Sequence, residues 1–498
     1  MNMQQLIHIN RIHRILPLLL LATMGLGSCK KYLDVNTSPN QPTSVPPATL
    51  LPTTEIGIAF ANSNDLDRAT SAIMQQIAGV ANQTQGYDVY NFSGAFDNQW
   101  NGELYGGSIN NCVSMINLDS ATSPAYSGVA KLEMAYAFSI LTDIWGDVPY
   151  SQAGQGDKYT YPRFDKTQDI YEGNAALGIR SLFDLVNSGL ADLAKPSTFK
   201  PKADDVIYGG DLTKWARVGN TLLLKFAIML TNVDPTTAKS VISNVIAGNN
   251  YINSNALDFE VPFSTSTGNQ NPIYNFNYVN RPGDQMLSSR FLALEQGLND
   301  TLRLAKFFTK PNGVFNGFNN GSTVPAPAQA TRSQYGSYLI APVSNPTAGG
   351  AGPIRLLTNF QVNFILAEAA LILGTPGNAN TYYQAGITAS MQKIGMAQTD
   401  ITAYFAANPT VVTLSGTTEQ MRQQIITQKY IAWCGNGIEI FDDYRRTGYP
   451  VLALPLNPGG DDPSVIPTRL PYTIGELNTN PNAPNPRPLV DVKLWWAK

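Results

Sequence analysis

Residues 124–149 read PAYSGVAKLEMAYAFSILTDIWGDVP. In this stretch Val129, Leu132, Tyr136, Ile140 and Ile144 recur at three- and four-residue steps, which places them on one face of a helix. Pro124 suits the first helical turn, where a missing N–H costs nothing. The run Trp145-Gly146-Asp147-Val148-Pro149 stops the helix. Outward from here the same period returns. Ile73, Ile77 and Val80 mark a helix over 66–85, and a second begins after Gly94 and runs through Trp100, Leu104, Ile109 and Val113 despite its glycines. Further helices are expected over 171–193 and 212–231, and a third opens at the Asp234-Pro235 cap and ends at Gly248. Val362, Ile365, Leu366, Ala369, Ile372 and Leu373 trace a stripe closed by Gly374. Residues 380–393 form its expected partner, and 417–434 another helix with Met421, Ile425, Tyr430 and Ile431 inward. Successive antiparallel helix pairs of this kind predict a mainly all-α fold and resemble a tetratricopeptide-like array, although no strict repeat period emerges.

Between the helical blocks the texture changes. Residues 256–352 carry Asn, Gly, Pro, Ser and aromatic residues with little periodicity, broken by one short expected helix over 285–296. Long irregular segments in a compact domain tend to be functional or disordered, and the aromatic content here argues for order. After Pro450 the chain is proline-rich and irregular.

The first residues have a different character. Arg11, His13 and Arg14 precede an apolar run, Ile15 to Leu26, interrupted only by Pro17, Thr23 and Gly25. A basic start, a short apolar run and small residues before a cut site read as a secretory signal over 1–28. The run is shorter than the roughly 20 residues a spanning helix needs. Leu26-Gly27-Ser28-Cys29 resembles the lipobox of bacterial lipoproteins, which implies a mature chain starting at a lipidated Cys29. Two or more acyl chains anchor a protein stably. Residues 29–52 then form the lipidated start and a tether, since Asn36 to Pro52 is rich in Pro, Thr, Ser and Asn. The expected globular domain is 53–498, divided into a helical part (53–255), a loop-rich, ligand-binding part (256–352) and further helices with an irregular end (353–498).

Composition narrows the chemistry. Charged residues make up 14% of the chain and the net charge is -3, with no long Lys/Arg run, so nucleic acid is not an expected partner. Both histidines, His8 and His13, lie in the signal. The rest of the chain therefore has no Ser-His-Asp triad, no HExxH zinc site and no imidazole cage, and neither a metal nor a cofactor is expected. Hydrolysis by a carboxylate pair stays open. Cys112 and Cys434 are expected as buried thiols, with a disulfide between them as the alternative in an oxidising compartment. A surface built on amides and hydroxyls suits neutral hydroxylated ligands.

Several motifs carry a family resemblance. The lipobox followed by Lys30-Lys31-Tyr32-Leu33-Asp34 and Asn36-Thr37-Ser38-Pro39-Asn40 resembles the mature start of SusD/RagB-like outer-membrane lipoproteins. Trp145 to Tyr150, Trp215 to Leu230 and Phe364 to Ala370 are similar to further family elements. Gln428-Lys429-Tyr430-Ile431-Ala432 and Tyr444-Arg445-Arg446-Thr447-Gly448-Tyr449-Pro450 give the most specific match, and Pro467 to Tyr472 with Glu476 resembles the closing segment. The resemblance implies a tetratricopeptide-like α-α superhelix scaffolding long loops. It also implies a lipid-anchored place on the outer membrane facing the exterior, and a SusC-like TonB-dependent β-barrel transporter as partner. Its implied function is non-catalytic capture of oligosaccharides for import. Capture of oligopeptides by the same machinery and a lipid-anchored glycoside hydrolase are the alternatives.

Sugar capture calls for flat rings beside polar groups. Two stretches supply both. Gln85 to Trp100 offers Tyr87, Tyr90, Phe92, Phe96 and Trp100 among Asp88, Asn91 and Asn98; Asn269 to Asp284 offers Tyr274, Phe276, Tyr278 and Arg281 among asparagines. In the second, the aromatics alternate with polar residues, which predicts an extended strand with its rings on one side. Each set is either a platform or part of the core. Phe315 and Phe318 form a weaker third set. Arg445 or Arg446 is expected to pair with Asp442 or Asp443 near Gly448, Glu368 to be solvated or ion-paired on its helix, and Trp145 and Trp215 to anchor the core.

Overall fold

Caps, prolines and helix breakers account for most element boundaries in the computed structural model, which describes residues 45–118 and 122–498. Residues 47–498 form one unit. The signal and Cys29 lie outside the described residues, as does the tether up to residue 44. The rest of the expected tether is corrected: helix α1 spans Pro47–Ala61 and carries Pro52 inside it, because Leu51, Ile58 and Ala59 give it an apolar face to bury. The predicted helix over 66–85 is three elements, α2 (Asp65–Ile73), β1 (Ile77–Gly79) and α3 (Asn82–Asp88). The break follows from Gln75, which sits at φ 57. The helix expected after Gly94 is a π-helical stretch, Asn98–Ile109, that runs into α4 (Asn110–Asn117).

Helix α5 (Pro124–Trp145) is the central element. Its predicted stripe is buried, and so is nearly every other residue, as befits a helix packed on all sides. Gly146 ends it at φ 88, a conformation costly for any residue with a Cβ. The predicted helix over 171–193 is broken into α6 (Thr167–Glu172) and α7 (Leu182–Leu193), with Ser181 capping the latter. A Cβ on Gly128 of α5 would lie 2.9 Å from the Gly189 carbonyl of α7, so the two glycines set the close crossing of these helices. Helix α8 (Leu212–Met229) starts at Asp211, whose carboxylate accepts from Thr213 N–H at 3.0 Å, and α9 (Pro235–Gly248) starts at the predicted Asp234 cap. Helix α8 packs on both α7 and α9.

The block from 256 to 352 is mostly irregular, with short strands and turns. Where one helix was predicted over 285–296, a strand, β3 (Gln285–Leu287), precedes α10 (Ser289–Gly297), with β2 (Phe259–Val261) before them. Helical pairing resumes with α11 (Asn359–Ile372) against α12 (Ala379–Lys393) and α13 (Thr418–Ala432), the last opened by a reciprocal Thr417–Gln420 capping box. Helix α14 (Gly437–Thr447) follows. Strands among the described residues form two-stranded antiparallel ladders only, including Ile77↔Leu287 between β1 and β3. One contiguous apolar cluster runs through the unit from Leu51 to Trp496 and includes Trp145 and Trp215, both fully buried. Cys112 and Cys434 are free and buried, and burial pushes both thiols well up. None of the described helices is long and apolar enough to cross a membrane.

Candidate ligand-binding surface

The aromatic residues of 85–100 turn inward. Tyr87 is 1% exposed and stacks on Phe96 at 5.8 Å, while Trp100, also 1% exposed, meets Trp145 edge to face at 5.1 Å. Tyr87, Tyr90, Phe92 and Trp100 therefore do not form an open platform. The reason lies far along the chain. Gly459 N–H donates to the Val89 carbonyl at 2.8 Å, Gly460 packs on the Tyr90 carbonyl and Tyr472 meets the Trp100 ring at 6.1 Å, so the C-terminal segment lies beside Tyr90, Phe92 and Trp100, while Phe92 and Phe96 cover Tyr87. Tyr90 and Phe92 line a cavity of about 230 Å³ under that cover, which Arg487 and Asp461 border with a two-point ion pair at 2.9 Å. That is smaller than the roughly 300–1,000 Å³ usual for ligand pockets.

The second stretch behaves differently, and the predicted strand is corrected. Residues Pro272–Tyr274 make a helical turn that continues as a π-helical turn over Asn275–Asn280. Asn271 sets it up. Its buried side-chain oxygen accepts from Ile273 N–H at 2.7 Å and Tyr274 N–H at 3.3 Å, and its amide donates to the carbonyls of Leu339 and Gly352. Pro272 then occupies the first position, where it fits. In a helical turn residues four apart share a face. Tyr274 and Tyr278 consequently stack, with centroids 5.5 Å apart and planes 14° apart. Both rings are half-buried. The Tyr278 hydroxyl donates to the Tyr335 carbonyl, and burial pushes its phenol up to about 12. Gly349 backs Tyr274, since a Cβ there would lie 2.8 Å from the ring.

Phe276 leaves the pair and lies under the Arg68 guanidinium, 3.9 Å from its centroid. Arg281 is exposed, and its side chain has no ion pair among the described residues. Phe315 is half-buried beneath Lys310 at 5.2 Å, and Phe318 is half-buried as well.

The charged motif residues are structural. Arg446 reaches both Glu368 oxygens at 2.6 and 2.7 Å and Asp443 at 2.8 Å, Arg422 reaches Glu368 at 2.9 Å, and Arg445 pairs with Asp442. Burial works against charge on Glu368, but Arg446 and then Arg422 hold its carboxyl below the usual range. Among the described residues no cluster of three or more His, Cys, Asp or Glu could hold a metal ion.

One surface escaped the sequence reading. The loop after α5 and the start of the π-helical stretch border a cavity of about 340 Å³ lined by Trp100, Asn101, Asn110, Gln152, Gln155 and Tyr159 among others. Its signal was a Gln-, Gly- and Tyr-rich run, residues 151–161, directly after the helix stop.

Helix pairs wrapped around α5 and α11, with irregular segments laid over them, define a tetratricopeptide-like superhelical scaffold. The SusD-like family described as "Starch-binding associating with outer membrane" matches residues 39–473, and the chain belongs to that family. A solved chitin-binding protein is 24% identical with a TM-score of 0.76, the match covering 91% of this chain and 100% of that one. A chitin-binding SusD homologue from Flavobacterium johnsoniae is 21% identical with a TM-score of 0.73, covering 90% and 98%. A SusD homologue from Bacteroides uniformis is 21% identical with a TM-score of 0.72, covering 90% and 99%. These structures share the fold. No curated protein matches by sequence.

Proposed function

We propose that this chain is an outer-membrane lipoprotein, anchored through Cys29 and facing outward, that captures oligosaccharides without cleaving them and hands them to a SusC-like TonB-dependent β-barrel transporter. The stacked Tyr274–Tyr278 pair carries this reading: it holds two half-exposed rings in fixed geometry on an irregular segment. A pyranose presents a C–H face to such a ring and hydroxyls to its rim. Asn275, Asn280 and Arg281, on the same segment, supply donors and acceptors of the kind that read hydroxyls. The family's starch-binding description and the chitin-binding names of two structural relatives support a saccharide.

Affinity electrophoresis of the detergent-solubilised full chain in gels cast with soluble starch or glycol chitin tests the proposal. Retardation without released reducing ends is expected. Replacing Tyr274 or Tyr278 by Ala should cost about 1–3 kcal/mol per lost stack, by analogy with base stacking, with little change in melting temperature. Release of sugar, retention of peptides alone, or unchanged affinity in Tyr274→Ala and Tyr278→Ala would overturn it.

A further inference from the structure

We propose a second saccharide-binding site, in the cavity between the 149–162 loop and the start of the π-helical stretch. It shares no lining residue with the Tyr274–Tyr278 surface, and a different set of observations carries it.

The cavity, at about 340 Å³, falls within the size range of ligand pockets. Its polar groups are unspent. The side-chain amides of Asn101 and Asn110 make no hydrogen bond among the described residues. Among the described residues Gln152 uses only its oxygen, which accepts from Arg163 N–H at 2.9 Å, and its NH2 group has no partner. Gln155 is the converse: its NH2 donates to the Ser151 carbonyl at 2.9 Å and its oxygen has no partner among the described residues. Donors and acceptors thus converge from neutral amides, the combination that reads hydroxyls, which both give and take hydrogen bonds. The one charged lining residue is Glu476, so an anionic ligand would meet repulsion and no cation.

Rings complete the arrangement. Tyr159 stands at the mouth with 40% of its surface exposed. Trp100 lines the cavity although it is only 1% exposed.

The walls are held before any ligand arrives. Tyr105 hydroxyl donates to the Pro149 carbonyl at 2.7 Å, Ser151 N–H to Asp165 at 2.6 Å, and Arg163 bridges Ser151 Oγ at 2.9 Å and Asp165 at 2.6 Å. Binding to such a loop loses little ordering entropy. The amides and the exposed ring together define a subsite for one or two neutral sugar units.

Isothermal titration of the detergent-solubilised full chain with maltotriose and with triacetylchitotriose decides the matter. Two molecules of the preferred sugar per chain are expected. Tyr274→Ala/Tyr278→Ala should reduce the number to one, and so should Tyr159→Ala/Asn110→Ala; the four changes combined should abolish binding. Tyr159 and Asn110 are exposed, so the melting temperature of their double variant should match wild type and confirm its fold. A wild-type stoichiometry of one with undiminished binding in Tyr159→Ala/Asn110→Ala overturns the second site, as does complete loss of binding in the Tyr274→Ala/Tyr278→Ala variant. Complete loss in Tyr159→Ala/Asn110→Ala alone upholds the second site and overturns the tyrosine-pair reading. No binding of either sugar overturns both.

Discussion

Asp67 shows how much a single buried carboxyl controls. It lies between α2 and α14, where Ser71 Oγ–H at 3.0 Å and Gly437 N–H at 2.7 Å both donate to the same oxygen. Burial pushes its carboxyl up to about 7, and the two hydrogen bonds offset only part of that. The folded chain therefore binds a proton that the unfolded chain has released. The stabilisation is complete below about pH 4 and is lost as pH rises through about 7, each pH unit between those limits removing about 1.4 kcal/mol. Glu368 and Asp443 act in the opposite sense, since their lowered carboxyls stabilise above the ordinary carboxylate range and lose that contribution in acid. In Asp67→Asn the bonded oxygen remains and the proton-binding one is replaced. Its melting temperature, relative to wild type, should climb between pH 4.5 and about pH 7 and level off above that. A difference that stays flat with pH would show that another group titrates.

At the scale of elements, the turn over Pro272–Asn280 shows what a sequence discloses and what it conceals. Tyr274 and Tyr278 fit a period of two and a spacing of four equally well. The Asn271-Pro272 pair, a cap followed by a first-turn proline, was the clue that favours a helical turn. Long stripes such as those of α5 and α11 had no such ambiguity, because five or six apolar residues in phase leave only one period. The rings of Tyr90 and Phe92 were illegible for a different reason: the segment that carries Gly459 and Gly460 lies beside them, and no local pattern announces so distant a cover. The same physics gives Gly349 its importance. In Gly349→Ala the new methyl would meet Tyr274 at 2.8 Å and must displace the ring from its stack. Titration with the preferred oligosaccharide should show a loss of about 1 kcal/mol, the scale of one aromatic contact, at a near-native melting temperature. Unchanged affinity would mean that the ring's placement is irrelevant to binding.

Across the whole molecule, the irregular C-terminal segment acts as a clasp on helices distant in sequence. Leu470 N–H donates to the Ile144 carbonyl at 3.0 Å, Trp145 Nε1–H to the Pro471 carbonyl at 2.9 Å, and the Tyr472 hydroxyl to the Asp147 carbonyl at 2.6 Å, all at the end of α5. Trp496 closes the clasp. It is fully buried, its Nε1–H donates to Asp143 of α5 at 3.1 Å, and the Arg445 guanidinium of α14 lies 4.9 Å from its ring. Asn232, just beyond α8, donates to its carbonyl at 3.2 Å. One residue thus joins three helices that the chain order separates. Trp496→Ala should cost about 3–5 kcal/mol, from lost burial plus the cavity left behind, whereas Trp496→Phe should keep most of the packing and lose little more than a hydrogen bond, about 1 kcal/mol. Urea unfolding checks both. If the clasp unfolds with the body, the midpoint falls while the slope stays constant, since the same surface is exposed in one step. A midpoint that does not move in Trp496→Ala, or a second transition already present in wild type, would show that the tail frays independently of the helices it covers.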